Sequence, residues 1–299
     1  MLDCAVIGGG PAGLSAALVL GRSRKRTALF DGGTPRNATA GYIGGFITQD
    51  RIAPGEFRSV AHEDLRAYPT VSLHLDASVT RIERVGSKLC VHADGVEYEA
   101  RRILLATGII DEAMPLDGSR ELWGKSLFEC PYCHGYEVRD RKLGFLAPAD
   151  DVLWVELLRS WSRQVTVFTN AAFEIPSPQR ARLLDAGIAI EERRIATLRG
   201  HHGQLEEVAV DGGAVPLDAL FFRPQQKQTP LVAALALALD DHGHVRVDEE
   251  SRTSIPGIHA AGDLASHYHG AMAAAAAGSM AAHCINRELT VELVRVGLL

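Results

Sequence analysis

Cysteine, aromatic residues and surplus positive charge are all scarce in this chain. Five cysteines in 299 residues are too few for a disulfide scaffold. Aromatic residues make up 6% of the sequence. Lys plus Arg (31) are outnumbered by Asp plus Glu (37), for a net charge of −6. Such a balance supplies no basic surface, so neither nucleic acid nor a membrane is expected as a partner. Long apolar runs are missing too. The alanine-rich stretch Ala271 to Ala282 is broken by Gly278 and Ser279 and is too short to span a bilayer. The first apolar run, Ala5-Val6-Ile7, meets glycines at once and has no basic leader, so it does not read as a signal peptide. The expected compartment is therefore a reducing cytoplasm, where a dithiol cycles rather than acting as a staple.

The cysteines that are present are unevenly placed. Cys130 and Cys133 stand two residues apart in Cys130-Pro131-Tyr132-Cys133-His134-Gly135-Tyr136-Glu137, whereas Cys4, Cys90 and Cys284 are solitary. A pair at this spacing reads as a redox centre or as half of a zinc site. A structural zinc site needs about four clustered Cys or His ligands. No second pair and no further histidine at ligand spacing follows, so no metal is expected. Cys4 and Cys90 read as packed strand residues and Cys284 as inert core.

The electron partner is suggested by the N-terminus. Leu2 to Ile7 reads as a buried parallel strand. Gly8-Gly9-Gly10-Pro11-Ala12-Gly13 follows it, and then a helix rich in Ala and Leu. In this pattern Gly8 permits the turn, Gly10 lets the backbone approach a pyrophosphate, and Gly13 lets helix and strand pack closely. The helix N-terminus at Pro11 and Ala12 then faces the phosphates. A second strand, Thr27 to Phe30, ends at Asp31, placed to accept hydrogen bonds from a ribose. Asn37, in the glycine- and proline-rich loop that follows, is a cofactor contact or part of a solvated turn. Further on, Arg102 to Leu105 reads as a strand entering Ala106-Thr107-Gly108. Near the end, Ile258 to Asp263 reads as a strand and tight turn preceding the small-residue segment from Ala271.

Taken in order, the glycine motif with Asp31, the Ala106-Thr107-Gly108 turn, the Cys130–Cys133 pair and Ala261-Gly262-Asp263 resemble the low-molecular-weight thioredoxin reductase family. The resemblance covers essentially the whole chain. It implies an α/β fold of two Rossmann-like nucleotide-binding domains, the second inserted into the first. The expected boundaries are 1–114 with 246–299 for an FAD domain, and 115–245 for an insert carrying the redox pair. FAD would be held at Gly8, Gly10, Pro11, Ala12, Gly13, Asp31, Asn37, Thr107, Gly108, Gly262 and Asp263, with His269 and Ala271 at the flavin edge. Cys133 would lie nearer the flavin, and Cys130 would exchange disulfides with an external substrate. A homodimer, with a thioredoxin-like protein or a small dithiol or disulfide as partner, is implied as well.

The sequence departs from the family in three places. Where relatives carry a second glycine fingerprint, this chain has Ala147-Pro148-Ala149-Asp150-Asp151. Pro148 lacks a donor for phosphate, the alanine Cβ atoms obstruct backbone approach, and the aspartates repel a pyrophosphate. The next strand, Gln164 to Phe168, leads to no arginine cluster, and Arg193 and Arg194 read as a solvated face. The NADPH site is therefore expected to be degenerate. His134 stands where thioredoxin reductases typically carry an aspartate, so the motif resembles that of flavin dithiol oxidases. A histidine, with an ordinary pKa near ~6.5, can accept and return a thiol proton. Glu137 either orients it or faces solvent. His267-Tyr268-His269 replaces the family's Arg-Gln pair.

The lost fingerprint also resembles branches that draw electrons from ferredoxin or carry a second FAD in the vacated pocket. Trp154, Leu157, Leu158 and Trp161, on one helical face, would be core, interface or a stacking surface for such a ligand. The apolar segment Val291 to Leu299 is expected to pack on the body or a partner subunit. Function on this reading is a flavin-dependent disulfide oxidoreductase independent of NADPH. An oxygen-using dithiol oxidase is the alternative. A flavin-binding redox sensor is the non-enzymatic one, against which the intact dithiol argues.

Overall fold

The computed structural model describes residues 1–86 and 88–297. The chain divides into two compact units: Met1–Ala38, Phe46–Ile110 and the chain from Gln226 onward form the first, and Thr39–Gly45 with Asp111–Gln225 the second. This division differs from the boundaries read in the sequence. Residues 226–245 join the first unit because Val232, Leu237 and Val245 are buried in the same core as Ile103, Ile258 and Leu264. Residues 39–45 join the second through contacts that no local pattern announces.

In the first unit, strand Leu2–Ile7 pairs in parallel with Thr27–Asp31 on one side and with Val96–Leu105 on the other. Thr27–Asp31 is buried along its whole length, as a strand covered on both faces must be. Val71–Leu75 extends the sheet in parallel beyond it. Val96–Leu105 is shared: its first half pairs antiparallel with Lys88–Ala93, and its last residues pair in parallel with Ile258–Ala260. That arrangement brings the ends of three distant segments, at Ile7, Leu105 and Ala260, to one edge of the sheet.

Helix Pro11–Arg22 follows the first strand, and the 25-residue helix Ala271–Arg295 closes the unit. The small residues of the latter serve helix packing. A Cβ built on Gly278 would lie 1.9 Å from the carbonyl oxygen of Ala12, so only glycine lets the two backbones approach this closely. Farther along, Arg102 binds Glu288 at 3.0 Å and Glu292 at 2.9 Å, tying the last helix to the sheet. Leu293 is buried, but Val291, Val294 and Val296 are exposed. The expected packing of the apolar tail is thus met by Leu293 alone among these residues; Leu298 and Leu299 lie outside the described residues. Among the described residues no helix is long and apolar enough to cross a membrane.

The second unit is built on a five-stranded parallel sheet ordered Ile188–Glu191, Gln164–Phe168, Lys142–Leu146, Ala219–Phe222 and Leu127–Phe128. An antiparallel sheet of Ile195–His201, Gln204–Val210 and Gly213–Pro216 accompanies it. The segment after Lys142–Leu146 is a 3₁₀ helix over Val152–Ser160, not the expected α-helix. Its buried residues Val152, Val155 and Leu158 recur every third position, which is the period of that helix. The single face read for Trp154, Leu157, Leu158 and Trp161 therefore splits. Leu158 is core, whereas Trp154 is half-buried and packs on Phe145 with ring centroids 4.5 Å apart.

Candidate redox and nucleotide sites

The redox pair lies in the second unit, at the start of a single helical turn, Pro131–His134. Pro131 suits the first helical position because its fixed φ is already helical and no N–H is wasted there. Cys130 is the N-cap, and its sulfur accepts hydrogen bonds from the Cys133 N–H at 3.3 Å and from the Cys133 thiol at 2.8 Å. Two thiols this close need only a small approach to close a disulfide, whose bond is about 2.05 Å. The Cys133 thiol and N–H hold the Cys130 pKa below the ordinary thiol range, against burial and the nearby Glu129. Cys4 provides the contrast. It is fully buried in a strand, and burial pushes its thiol up to about 12.

His134 packs between rings of its own unit. It stacks on Phe128 at 4.4 Å and meets Tyr42 at 5.9 Å. Neither ring nitrogen has a hydrogen-bond partner among the described residues, so Glu137 does not orient it. Burial pushes its pKa below the usual histidine range, with the Cys130 backbone and Glu129 opposing. The imidazole is thus neutral near pH 7 and able to accept a proton. Gly44 completes the wall: a Cβ there would lie 2.4 Å from the Cys133 carbonyl oxygen. Tyr42 and Gly44 carry no signal in the sequence, since they sit ninety or more positions upstream (134 − 42 = 92; 134 − 44 = 90) in a loop with no motif.

The first unit gathers the other predicted residues. Gly8 has φ +118°, and a Cβ on it would lie 2.1 Å from the Ala106 carbonyl oxygen. One on Gly13 would lie 1.8 Å from the Gly8 carbonyl oxygen, so helix and strand meet here at backbone distance. Around Gly10, by contrast, a Cβ would meet nothing within 4 Å. The helix that follows has no side-chain cap, which leaves the N–H groups of its first turn, at Ala12 and Gly13, without intrahelical acceptors. Open space beside uncapped donors is what an anionic pyrophosphate needs. Ala12, Ala106 and Ala274 form one small buried cluster, which brings the Thr107-Gly108 turn, the Gly262-Asp263 turn and the helix from Ala271 close to the glycine loop.

The two acids differ in their partners. Asp31 is buried. Its Oδ2 accepts from Arg58 at 2.5 Å and lies 3.5 Å from His62 Nε2, while its Oδ1 accepts from the Gly33 N–H at 2.9 Å. The sequence reading had it waiting for a ribose alone, and Arg58 was missed because a helical arginine carries no local signature. Asp263 Oδ2 binds Arg36 at 2.9 Å, but its buried Oδ1 has no partner among the described residues. An orphaned carboxylate oxygen next to this cradle fits a hydroxyl-bearing chain such as the ribityl of FAD. Asn37 is half-buried beside Arg36 in the same loop, and His269 is half-buried with its Nδ1 3.4 Å from Gln226 Nε2.

The turn at Ala147 to Asp151 is built differently. Ala147 is buried and its N–H is taken by the Phe168 carbonyl at 3.0 Å. Asp151 pairs with Arg223 at 2.6 Å, and the Arg223 guanidinium lies 5.1 Å from the Trp154 ring. Gly144 is a packing glycine, since a Cβ would strike Leu217, Phe168 and Leu220. Arg193 is exposed and paired with Glu191 at 2.6 Å, consistent with a solvated face.

A glycine cradle at the end of a parallel strand in one unit and a dithiol in the other define a two-unit α/β oxidoreductase. The chain belongs to the pyridine nucleotide-disulphide oxidoreductase family, whose model matches residues 2–149 and 165–281. Within that family it is thioredoxin reductase-like, and these proteins bind FAD. It is 30% identical to the thioredoxin reductase aclD of Aspergillus oryzae over 94% of both chains. A relative in Arthroderma benhamiae, described as a probable thioredoxin reductase, is 36% identical over 56% of this chain, and the match spans 43% of that protein. Among solved structures, the oxidoreductase from Agrobacterium tumefaciens superposes with a TM-score of 0.91 at 35% identity, covering 97% of this chain and 99% of that one.

Proposed function

We propose that this protein is a flavin-coupled thiol–disulfide oxidoreductase that works without a pyridine nucleotide. The observation that carries the proposal is the pairing of a hydrogen-bonded dithiol with a half-buried, neutral imidazole one residue away, whose buried ring nitrogens have no hydrogen-bond partner among the described residues. FAD, when bound, supplies a two-electron reservoir. The residues to hold it are the backbone at Gly8, Gly10 and Gly13, the turns at Thr107-Gly108 and Gly262-Asp263, and Asp263 Oδ1. Cys130 and Cys133 hold an electron pair as two thiols and release it by closing a disulfide. Cys130, with its lowered pKa, is the sulfur that attacks or leaves a partner's sulfur, because exchange proceeds through a thiolate. His134 takes up the thiol proton and returns it.

The turn at Ala147 to Asp151 argues against nicotinamide dinucleotides, and equally against a second FAD, as both carry a pyrophosphate. Pro148 offers no N–H, the Ala147 N–H is already used, and Asp150 and Asp151 bring negative charge. A thioredoxin-like protein or a small dithiol is the partner this reading favours.

The test is anaerobic mixing of the flavin-loaded protein with NADPH, a small dithiol or reduced ferredoxin, following the flavin absorbance. A dithiol should bleach it while NADPH leaves it unchanged, with one flavin per chain. Recovery in air with peroxide release assigns the oxidase direction, and bleaching by ferredoxin alone assigns the reductase direction. Fast, stoichiometric bleaching by NADPH sinks the proposal.

A further inference from the structure

Away from the dithiol, the first unit brings together one aspartate and several histidines from two segments. Asp240, His242 and His244 lie on the turn leading to Val245, and His267 lies on the segment that follows Asp263. His267 Nε2 is 3.2 Å from Asp240 Oδ2, and His244 Nδ1 is 3.7 Å from Asp240 Oδ1. One ligand atom from each of Asp240, His244 and His267 can be chosen so that all lie within 4.8 Å of one another. In a tetrahedral zinc site with bonds of about 2.0–2.1 Å, neighbouring ligand atoms are about 3.3–3.4 Å apart. Modest rotation of these side chains reaches that spacing.

An ion pair with edge-on ring packing accounts for part of this, since His267 meets both His242 at 4.7 Å and His244 at 4.4 Å. It leaves His244 unexplained. That side chain is 5% exposed, and neither ring nitrogen has a hydrogen-bond partner among the described residues. Two buried, unsatisfied nitrogens beside a carboxylate and a second imidazole are costly unless a ligand takes the lone pair of one of them. Asp240 is oriented in advance, its Oδ1 accepting from the backbone N–H groups of His242 and His244 at 2.9 Å each. Backbone donors that fix a carboxylate in this way are a common outer shell of metal sites.

We propose that Asp240, His244 and His267 bind one divalent transition-metal ion, of which zinc is the best match. Two imidazoles and a carboxylate suit zinc and its neighbours rather than magnesium or calcium, which prefer oxygen ligands alone. Three protein ligands leave a further coordination position, next to which His242 stands. The ion would tie the turn before Val245 to the segment after Asp263, and so brace the stretch that carries Asp263. No sequence pattern announces the site, because the ligands have no motif spacing and come from segments more than twenty residues apart (267 − 244 = 23).

The test is a calorimetric titration of untagged, flavin-loaded protein with zinc, in a Cys130→Ser/Cys133→Ser background so that the dithiol cannot bind the ion. One zinc per chain is expected, with X-ray absorption giving nitrogen and oxygen ligands at about 2.0–2.1 Å and no sulfur. His267→Ala, at a half-exposed side chain, should keep its flavin and its circular dichroism. It should lose at least the roughly 10–100-fold in affinity that removal of an outer-shell partner costs. Asp240→Asn should behave in the same way. No saturable zinc binding, or zinc binding of equal affinity in His267→Ala, overturns the proposal.

Discussion

Ile7 to Pro11 and Leu146 to Val152 hold the same position in their units: each leaves a parallel strand and enters the first crossover. In the first unit the backbone is pressed to contact distance at Gly8 and Gly13, yet open space remains around Gly10, and an uncapped α-helix follows. In the second, a buried alanine spends its N–H on the neighbouring strand, an aspartate meets an arginine, and a 3₁₀ helix follows. The sheet beneath survives in both. A parallel sheet is therefore maintained by its buried strands, while the turn at its edge can be built in more than one way.

The largest test of this contrast is a pair of single substitutions. Gly13→Ala places a Cβ 1.8 Å from the Gly8 carbonyl oxygen, with no flexible side chain to yield. Overpacking of this kind costs about 1–3 kcal/mol or more, and protein purified without yellow colour, with a lowered urea midpoint, is expected. Ala149→Val, at an exposed position of the other turn, should change the midpoint by less than about 0.5 kcal/mol. Equal damage at both turns would erase the distinction.

The next largest effect concerns His134. His134→Gln should slow dithiol-driven flavin bleaching by roughly 10²–10⁴-fold, with little loss of bound flavin, because the flavin cradle belongs to the other unit. The same histidine contributes to acid sensitivity. His62, His134, His244 and His259 are all held below their ordinary pKa in the folded state, chiefly by burial. The unfolded chain therefore takes up protons first as the pH drops. The stability linked to these groups is complete above their unfolded pKa of about 6.5 and is lost as the pH falls through the lower folded values. Urea unfolding at about pH 7.5 and about pH 5.5 should show the decline. His134→Phe should flatten it, and an unchanged slope in that variant would mean that His134 is not held neutral.

The smallest expected effect is at Arg223. Its pair with Asp151 is half-exposed, and such pairs contribute about 0–1 kcal/mol. Arg223→Ala should leave stability and flavin content almost unchanged and should not confer NADPH reduction. A gain of NADPH bleaching would show that this arginine, rather than Pro148 and the aspartates, closes the second turn.

Much of this was legible from the residues. The first strand, the glycine turn and the cysteine pair are local patterns whose spacing carries their geometry. The helix at Val152 was misread because Trp154, Leu157, Leu158 and Trp161 fit a period of 3.6, whereas burial follows the period of three at Val152, Val155 and Leu158. The partners of the site residues were hidden for a different reason. Arg58 on Asp31, Tyr42 and Gly44 beside the dithiol, and His244 beside His267 are contacts of the folded chain, and no spacing encodes them.

The contact between Gly278 and Ala12 also sets an order of events during synthesis. Helix Pro11–Arg22 leaves the ribosome early, but the surface it packs on is carried by a helix that begins at Ala271. The segment Asp111–Gln225, by contrast, is nearly complete in itself and can form its sheet as it emerges. The middle of the chain can thus fold first, while the N-terminal strand and its glycine turn wait for the last helix. A chain halted before Ala271 would carry the whole glycine fingerprint without the helix that packs on it.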